Sequence, residues 1–449
     1  MVVRSKRMIF LLTRRAVNAV RDETVRDCLI GHGIMTLTTM AVFARRILLA
    51  DADAFYVAVA RMVDPDGAGK SPLLIVGGSR ESRGVVCSAS WETRKFGVRS
   101  AMPMAQALRL CPDAMCVPIP GKACSEKSHE IREVLMQFAP VVEGASIDEW
   151  YLDMGGTEGV YHHEHLARTA HRIRNAVREA TTLSISIGGG TNKLIAKLAV
   201  ERAKPKPGSG ADGVHIVEPG TEEDFLRTFS LAELPMVGPK FQERLRKLGM
   251  TSVPDVLEHD LPTLERWFGE REGGWLWNRV HGVSDSIVDS GGDQKSISRD
   301  ETFPVDLHDD VELEHELVAL VNRAAFDLRS DGLAARTITV RIRDKDFRTR
   351  SAQRTLADPV VSDRVILRVA RELLTKLRTA RRIPARLLGV ALSSLAADPK
   401  ANQLKLFATR GEASGETDRD RMIAQTVDKV RDRFGKKGIL PASLTRDNE

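Results

Sequence analysis

Apolar positions along the chain change from solid runs to alternation to helical spacing, and the order of those changes predicts its elements. From Arg46 a short apolar strand, RILLADA, runs straight into an acidic turn. Two further runs, LLIVGG at 73–78 and GVVCSAS at 84–90, flank the polar stretch SRESR and predict a β-hairpin. A helix is expected over 103–110, ended by Cys111-Pro112. Helical spacing returns at 125–138 and 164–180, with strands at 149–152 and 183–187. This β-α-β-α-β alternation predicts a sheet backed by helices.

After the turn-rich segment KPKPGSGADG (204–213), residues 218–285 carry helical patterns only. DSGGDQKS (289–296) then reads as a flexible linker. A second α/β segment follows it. Its parts are a long amphipathic helix (311–329), the alternating strands TITVRIRD and FRTRSAQRTL, a helix at 363–379, and the strand RLLGVALSSL. Beyond Leu395 the chain turns polar and charged, apart from one apolar knot, QLKLF. The expected fold class is thus α/β and multidomain.

Composition narrows the function classes. With 449 residues, 42% hydrophobic and 29% charged, the chain is expected to be a soluble globular protein of several domains. No apolar run reaches the roughly 20 residues of a membrane span, and MIFLL near the start is too short for a secretory signal. The five cysteines form no C-x-x-C pair, which points to reduced thiols in a cytoplasm rather than to disulfides or zinc. The net charge of +6 suggests a polyanionic partner, yet residues 1–46 alone hold nine Arg/Lys against three acids. The remainder balances to zero, so any polyanion surface must be local. Residues 1–45 read as a poorly ordered extension, with Met40 as an alternative start.

Three constellations carry candidate chemistry. Asp51-Ala52-Asp53-Ala54-Phe55-Tyr56 sits at a strand end, where carboxylates are costly to desolvate without a cation. Hard oxygen donors of this kind suit Mg²⁺, although a lone D-x-D also fits a solvated turn. In Ser146-Ile147-Asp148-Glu149-Trp150-Tyr151-Leu152-Asp153 two adjacent acids enter a strand-like run. Neighbouring strand side chains point to opposite faces, so both acids reach one site only from a bend. Gly188–Gly190 lacks the spacing of a phosphate-binding loop, but the helix after it places Lys193 and Lys197 on one face, with Lys204 just beyond. That face fits phosphate binding and plain solvation equally.

Together these pieces resemble the Y-family DNA polymerases, in particular the bacterial DinB type. The likeness runs from about Arg46 to Leu395 through DADAFY, GVVCSASWETRKFGVRSAMP, SIDEWYLD, SIGGGTNKLIAKLA with its following KP, LPMVGPKFQERLRKLGM and RLLGVALSSL. It implies a right-hand polymerase: palm at 46–58 and 118–214, fingers at 59–117, and a helix-hairpin-helix thumb at 215–286. A linker at 287–296, a little finger at 297–397 and a tail at 398–449 complete it. The implied activity is template-directed, low-fidelity translesion synthesis, adding dNTPs to a primer 3′-OH on primer–template DNA. The rival readings are a catalytically inactive clamp-bound scaffold and a palm-type nucleotidyl cyclase.

By the same resemblance Asp51, Asp148 and Glu149 would hold two Mg²⁺ ions, with the Ala52 carbonyl completing one shell. Tyr56 would be the steric gate against ribonucleotides, beside Phe55. Arg94 and Lys204 would bind the triphosphate, Ser88 would add a hydroxyl contact, and Cys87 would lie against the incoming base pair. Trp91 stands where the family has Tyr, Ala60 where it has Glu, and Met236 where Gly is typical. KPKPGSG also carries extra residues relative to the family's K-P-N-G. The amides of Val237 and Gly238, with Lys240 nearby, would hold a DNA phosphate. Residues 336–386 hold fifteen basic side chains against five acids; alternation puts Arg341, Arg343 and Lys345 on a DNA-tracking face opposite Ile338, Val340 and Ile342. Gln403, Leu404, Leu406 and Phe407 resemble a peptide that binds the sliding clamp. Residues 1–45 have a second reading as a basic arm on DNA. A monomer with no membrane contact is expected.

Overall fold

The computed structural model describes residues 45–79, 83–206, 208, 210–292, 294–398, 415–435, 438–441 and 444. The expectations for residues 1–44 and for the peptide at 403–407 lie outside them.

The first α/β body begins with β1 (Ile47–Ala52), α1 (Phe55–Val63), β2 (Leu74–Gly77), β3 (Val86–Ala89), α2 (Trp91–Arg94), α3 (Met104–Leu110) and β4 (Met115–Val117). It continues through α4 (Gly121–Leu135), β5 (Val141–Gly144), β6 (Glu149–Asp153), α5 (Leu166–Thr181), β7 (Ile185–Gly190), α6 (Lys193–Ala203) and β8 (Val214–Ile216). Its main sheet has the order β5-β6-β1-β7-β8. β1 is central and buried at every position, which is why its apolar run shows no alternation. On one face Leu48, Trp150 and Ile187 pack with Ile131 of α4 and Ile173 of α5. On the other, Ile47 and Leu49 meet Ala196 and Val200 of α6. Each fully buried aliphatic side chain of this kind contributes about 2 kcal/mol.

The glycines at 188–190 continue β7 rather than forming a loop. A Cβ on Gly188 would stand 2.0 Å from the Val200 amide nitrogen and 2.4 Å from the Ala196 carbonyl. Glycine there lets α6 lie directly on the strand.

The hairpin is present as β2 and β3, with β4 joining β2 in parallel. An expected boundary between palm and fingers at 58/59 falls inside α1. That helix serves two cores: Phe55 and Val59 enter the main one, while Val57 and Ala60 pack with Leu74 and Val76. Ala60, where the family has Glu, is therefore an apolar contact. Helix α4 starts four residues before the expected position, and β4, β5 and β8 were not anticipated. Each of those strands has three or four residues, too few for a period to show.

Residues 218–285 are helical as expected: α7 (Glu222–Leu226), α8 (Pro239–Lys247), α9 (Val253–Leu257), α10 (Leu261–Phe268) and α11 (Glu270–Val280). Their core includes Leu194, Ile195 and Leu198 of α6. Asn192, the N-cap of α6, donates to the Gly282 carbonyl at 2.7 Å and ties the helical unit to the sheet. The start of the expected linker is docked: Val288 is buried against Ile47 and Leu49, and the Asp289 amide donates to Glu143 at 2.8 Å.

The second α/β body holds β9 (Ser296–Leu307), α12 (Asp310–Ser330), β10 (Leu333–Asp344), β11 (Thr349–Val360), α13 (Asp363–Ala380) and β12 (Ala385–Ala397). Its sheet is antiparallel, in the order β11-β10-β12-β9, and β9 was not anticipated. Ile338, Val340 and Ile342 are buried against α12 and α13, as the alternation predicts. Asp344 lies on that inner face with no exposure, held by Arg350 and Arg381.

The expected tail contains a helix, α14 (Asp418–Phe434). Helix α14 docks through ions: Arg421 meets Asp398 and Glu416, and Arg329 grips Asp428. Ala424 is the one apolar residue among its buried positions, so no hydrophobic stripe announced it.

Candidate active site

The end of β1 meets the start of β6. Antiparallel register sets Asp51 directly opposite Glu149, so their side chains share one face. Asp148 precedes β6 in a bend, where its carboxylate accepts from Ser146 Oγ at 2.5 Å and its carbonyl accepts from the Ala52 amide. The bend that two adjacent acids require is thus supplied by Asp148, and Glu149 is placed by strand pairing. Asp53 is turned to other work: Ser186 and Ser184 hydroxyls donate to it at 2.6 and 2.8 Å.

One cleft gathers Asp51, Ala52, Phe55, Tyr56, Cys87, Ser88, Trp91, Arg94, Asp148, Glu149 and Lys204, with Asp53, Ala54 and Ser100. Every residue expected at the metal and nucleotide sites therefore lines the same space, although they come from separate stretches of chain. Helix α2 is started by Ser90, which accepts from the Thr93 amide. Arg94 on that helix donates Nε–H to the Ala89 carbonyl at 2.9 Å, and its guanidinium stands 4.9 Å from the centre of the Trp91 ring. The indole thus supports the arginine as a cation–π partner, a role not anticipated for it.

Asp51 is 6% exposed. Burial pushes its carboxyl up to about 7, against the opposing pull of Lys204. Lys204 Nζ lies 2.9 Å from Asp51 and 2.7 Å from Glu201. Burial depresses the Lys204 ammonium, but Asp51 and Glu201 outweigh it and leave the group above its ordinary value. Tyr56, edge-to-face on Phe55 at 5.5 Å, is pushed up to about 12, chiefly by burial and further by its neighbours Cys87 and Asp148. It stays a neutral hydroxyl at working pH.

The donor chemistry fits a hard divalent cation: three carboxylates line one cleft, and the buried one resists charging without a cation beside it. Among the described residues, no three Asp, Glu, His or Cys side chains converge as a formed metal centre. Asp51 and Glu149 are held by Lys204 and Lys197, and Asp148 by Ser146. Metal loading would exchange these contacts. The sequence marked Lys197 as part of a basic face; its partner Glu149, 48 positions away, had no local signal. Glu201, three positions before Lys204 and paired with it, and Ser100 were also missed.

Away from the cleft, Val237 departs from expectation. Its side chain is buried and its amide donates to the Leu234 carbonyl, so it has no donor to give a phosphate. Exposed Gly238, the N-cap of α8, and exposed Lys240 remain available there. Met236 has φ 69°, in the left-handed region, which explains why glycine suits that position. In the second body Lys345 is exposed, but Arg341 pairs with Asp300 at 3.2 Å and Arg343 donates to Thr349. Arg350, Arg354, Arg371, Arg378 and Arg381 are also in ion pairs, so much of the basic surplus is spent inside the domain.

A palm-like sheet with acids at its tip, a helical thumb and a separate α/β body define a right-hand nucleic-acid polymerase. Residues 50–201 match the impB/mucB/samB family and residues 294–406 its C-terminal domain, while residues 232–284 match the DNA polymerase-iota thumb domain. DNA polymerase IV of Treponema denticola is 33% identical over 400 residues, covering 89% of this chain and 96% of the relative. DNA polymerase IV of Halorhodospira halophila is 35% identical over 364 residues, covering 81% and 98%. A Y-family DNA polymerase chimera of Dbh and Dpo4 matches with TM-score 0.68 at 25% identity, covering 79% of this chain and 100% of that one. The insertion ternary complex of Dbh DNA polymerase matches with TM-score 0.55 at 25% identity, over 79% and 100%.

The chain belongs to the Y-family DNA polymerases, of the DinB type. It is a template-directed, low-fidelity DNA polymerase of translesion synthesis, and the scaffold reading is not favoured. Polymerases of this family use divalent metal ions. No helix among the described residues is long and apolar enough to cross a membrane.

Proposed function

We propose that the cleft holds two Mg²⁺ ions on Asp51, Asp148 and Glu149, with the Ala52 carbonyl as a further ligand, and extends a primer on template DNA. The observation that carries this reading is the gathering of those acids with Tyr56, Arg94 and Lys204 in one cleft. When bound, divalent ions would stabilise charge on the attacking 3′-oxygen and the departing pyrophosphate.

The chain's own residues do the rest. Arg94, braced by Ala89 and Trp91, and Lys204 present cations to the triphosphate, where charge-assisted hydrogen bonds are strongest. Ser88 adds a hydroxyl. The Tyr56 ring, backed by Phe55, takes the space a ribose 2′-hydroxyl would need, and Cys87 borders the nascent pair. Gly238, Lys240 and the outer strand face with Lys345 guide the duplex without reading sequence.

We further assign residues 403–407 to a sliding clamp, on the pentapeptide pattern that follows the last strand of the second body. A reduced cytoplasmic setting agrees with Cys87, Cys111 and Cys124, which form no disulfide among the described residues. The protein acts as a monomer in this reading.

Primer extension with Mg²⁺ tests the core claim. Wild type should extend and Asp148→Ala should lose at least about a hundredfold in rate; equal inertness of the two would sink it. Deleting residues 403–407 should abolish stimulation by the clamp and spare basal extension.

A further inference from the structure

Helix α6 and its C-cap carry three lysines, and each meets a carboxylate on a different strand. Lys193 Nζ lies 2.6 Å from Glu143 on β5, Lys197 Nζ 2.5 Å from Glu149 on β6, and Lys204 Nζ 2.9 Å from Asp51 on β1. Since β5, β6 and β1 are neighbours in that order, a row of cations faces a row of acids. The three pairs do different work. Lys193 also donates to the Ile287 carbonyl at 3.4 Å and so fastens the linker. Lys204 shares its charge between Asp51 and Glu201, and is free to move to a triphosphate without leaving either acid far away. Lys197 points at Glu149 from a half-buried position, with side-chain exposures of 27% and 25%.

We propose that Lys197 is the resident counterion of Glu149 and competes with divalent metal, so that the cleft binds metal weakly until nucleotide brings its own negative charge. The proposal rests on Glu149 being a metal ligand. An ammonium on Glu149 Oε1 occupies one of the lone-pair directions a cation would use. It also places a positive charge within a few ångströms of the incoming ion. Lys197 offsets Glu149, and Lys204 divides its charge between Asp51 and Glu201, which weakens the attraction of these acids for an arriving cation. A triphosphate changes that balance by drawing Arg94 and Lys204 to itself and adding several negative charges. Metal entry is thereby tied to substrate entry, and Lys197 is a positioning residue rather than a catalytic one.

The test is Mn²⁺ binding to the full-length protein without DNA or nucleotide, read from the free-ion signal in electron paramagnetic resonance. Lys197→Met and Lys197→Gln should each lower the Mn²⁺ Kd about tenfold, the scale of removing one unit charge beside a half-buried site. Lys197→Arg should stay near wild type. The two neutral variants give independent chances of a folded protein, checked by an unchanged circular-dichroism melt. In a Glu149→Gln background, Lys197→Met should bring a smaller gain, the part due to direct repulsion of the ion; a gain as large as in wild type overturns the pairing with Glu149. An unchanged or higher Kd in folded Lys197→Met or Lys197→Gln, with Glu149→Gln weakening binding, overturns the counterion role alone. Unchanged Mn²⁺ binding in Glu149→Gln overturns the ligand assignment and the proposal with it.

Discussion

Lys204 Nζ stands 2.9 Å from Asp51 Oδ2, with the two side chains 20% and 8% exposed, so the end of α6 and the end of β1 meet as a buried ion pair. Removing one partner leaves a buried charge without compensation. Lys204→Met should destabilise the metal-free protein by about 2 kcal/mol, seen as a lower thermal midpoint. Added Mg²⁺ should restore part of that loss if a divalent ion can take over the neutralisation. A midpoint unchanged in the absence of metal would mean that the pair holds nothing.

Tyr56 lies at the start of α1, its ring set edge-on to buried Phe55, so it has little room to yield to an extra oxygen. Tyr56→Ala should raise ribonucleotide incorporation relative to deoxyribonucleotide by roughly a hundredfold, the scale on which a pocket distinguishes one hydroxyl. Paired single-nucleotide extension assays give the ratio. An unchanged ratio removes Tyr56 from the role of steric gate.

Met236 combines φ 69° with 82% exposure. Its side chain is strained by the backbone it sits on and gains little from packing. Met236→Gly should therefore stabilise the helical unit by about 1 kcal/mol, measured by urea unfolding followed through the tryptophans of α10 and α11. A loss of stability would show that the Met236 side chain makes a contact that matters.

Asp420 is held well below the usual carboxylate range, at about 2, by the Thr417 amide and hydroxyl and by Arg364. Because the folded value lies below the unfolded one, the contact contributes stability above about pH 4 and loses it as pH falls toward 2. Helix α14 should keep its amide protection near pH 5 and lose it on acidification through that window. In Asp420→Asn the protection should already be reduced at pH 5 and should vary less with pH. Hydrogen exchange across residues 418–434, corrected for the intrinsic rate, reports it; a flat profile in wild type would contradict the assignment.

Much of this molecule was legible before folding because its signals are local. Strand β1 announces itself by six buried positions in a row, and α13 by an apolar stripe running from Val365 to Leu377. The motifs around Asp51, Asp148, Arg94 and Lys204 are short and keep their order, so their residues could be named one by one. What escaped was short, ionic or distant. Strands of three residues carry no period, and α14 is pinned by Arg421, Asp420 and Arg431 rather than by an apolar face.

Local motifs single out Asp51, Asp148, Glu149, Tyr56, Arg94 and Lys204, and all six line one cleft. How those charges are balanced depends on the packing of α6 across the sheet. Glu149 is placed by its register with Asp51, and its neutralisation by Lys197 joins residues 48 positions apart. A side chain's identity is written locally, but its electrostatic partner depends on which strands a helix happens to cross. For α6 those strands are β5, β6 and β1, and that crossing sets Lys193, Lys197 and Lys204 against Glu143, Glu149 and Asp51.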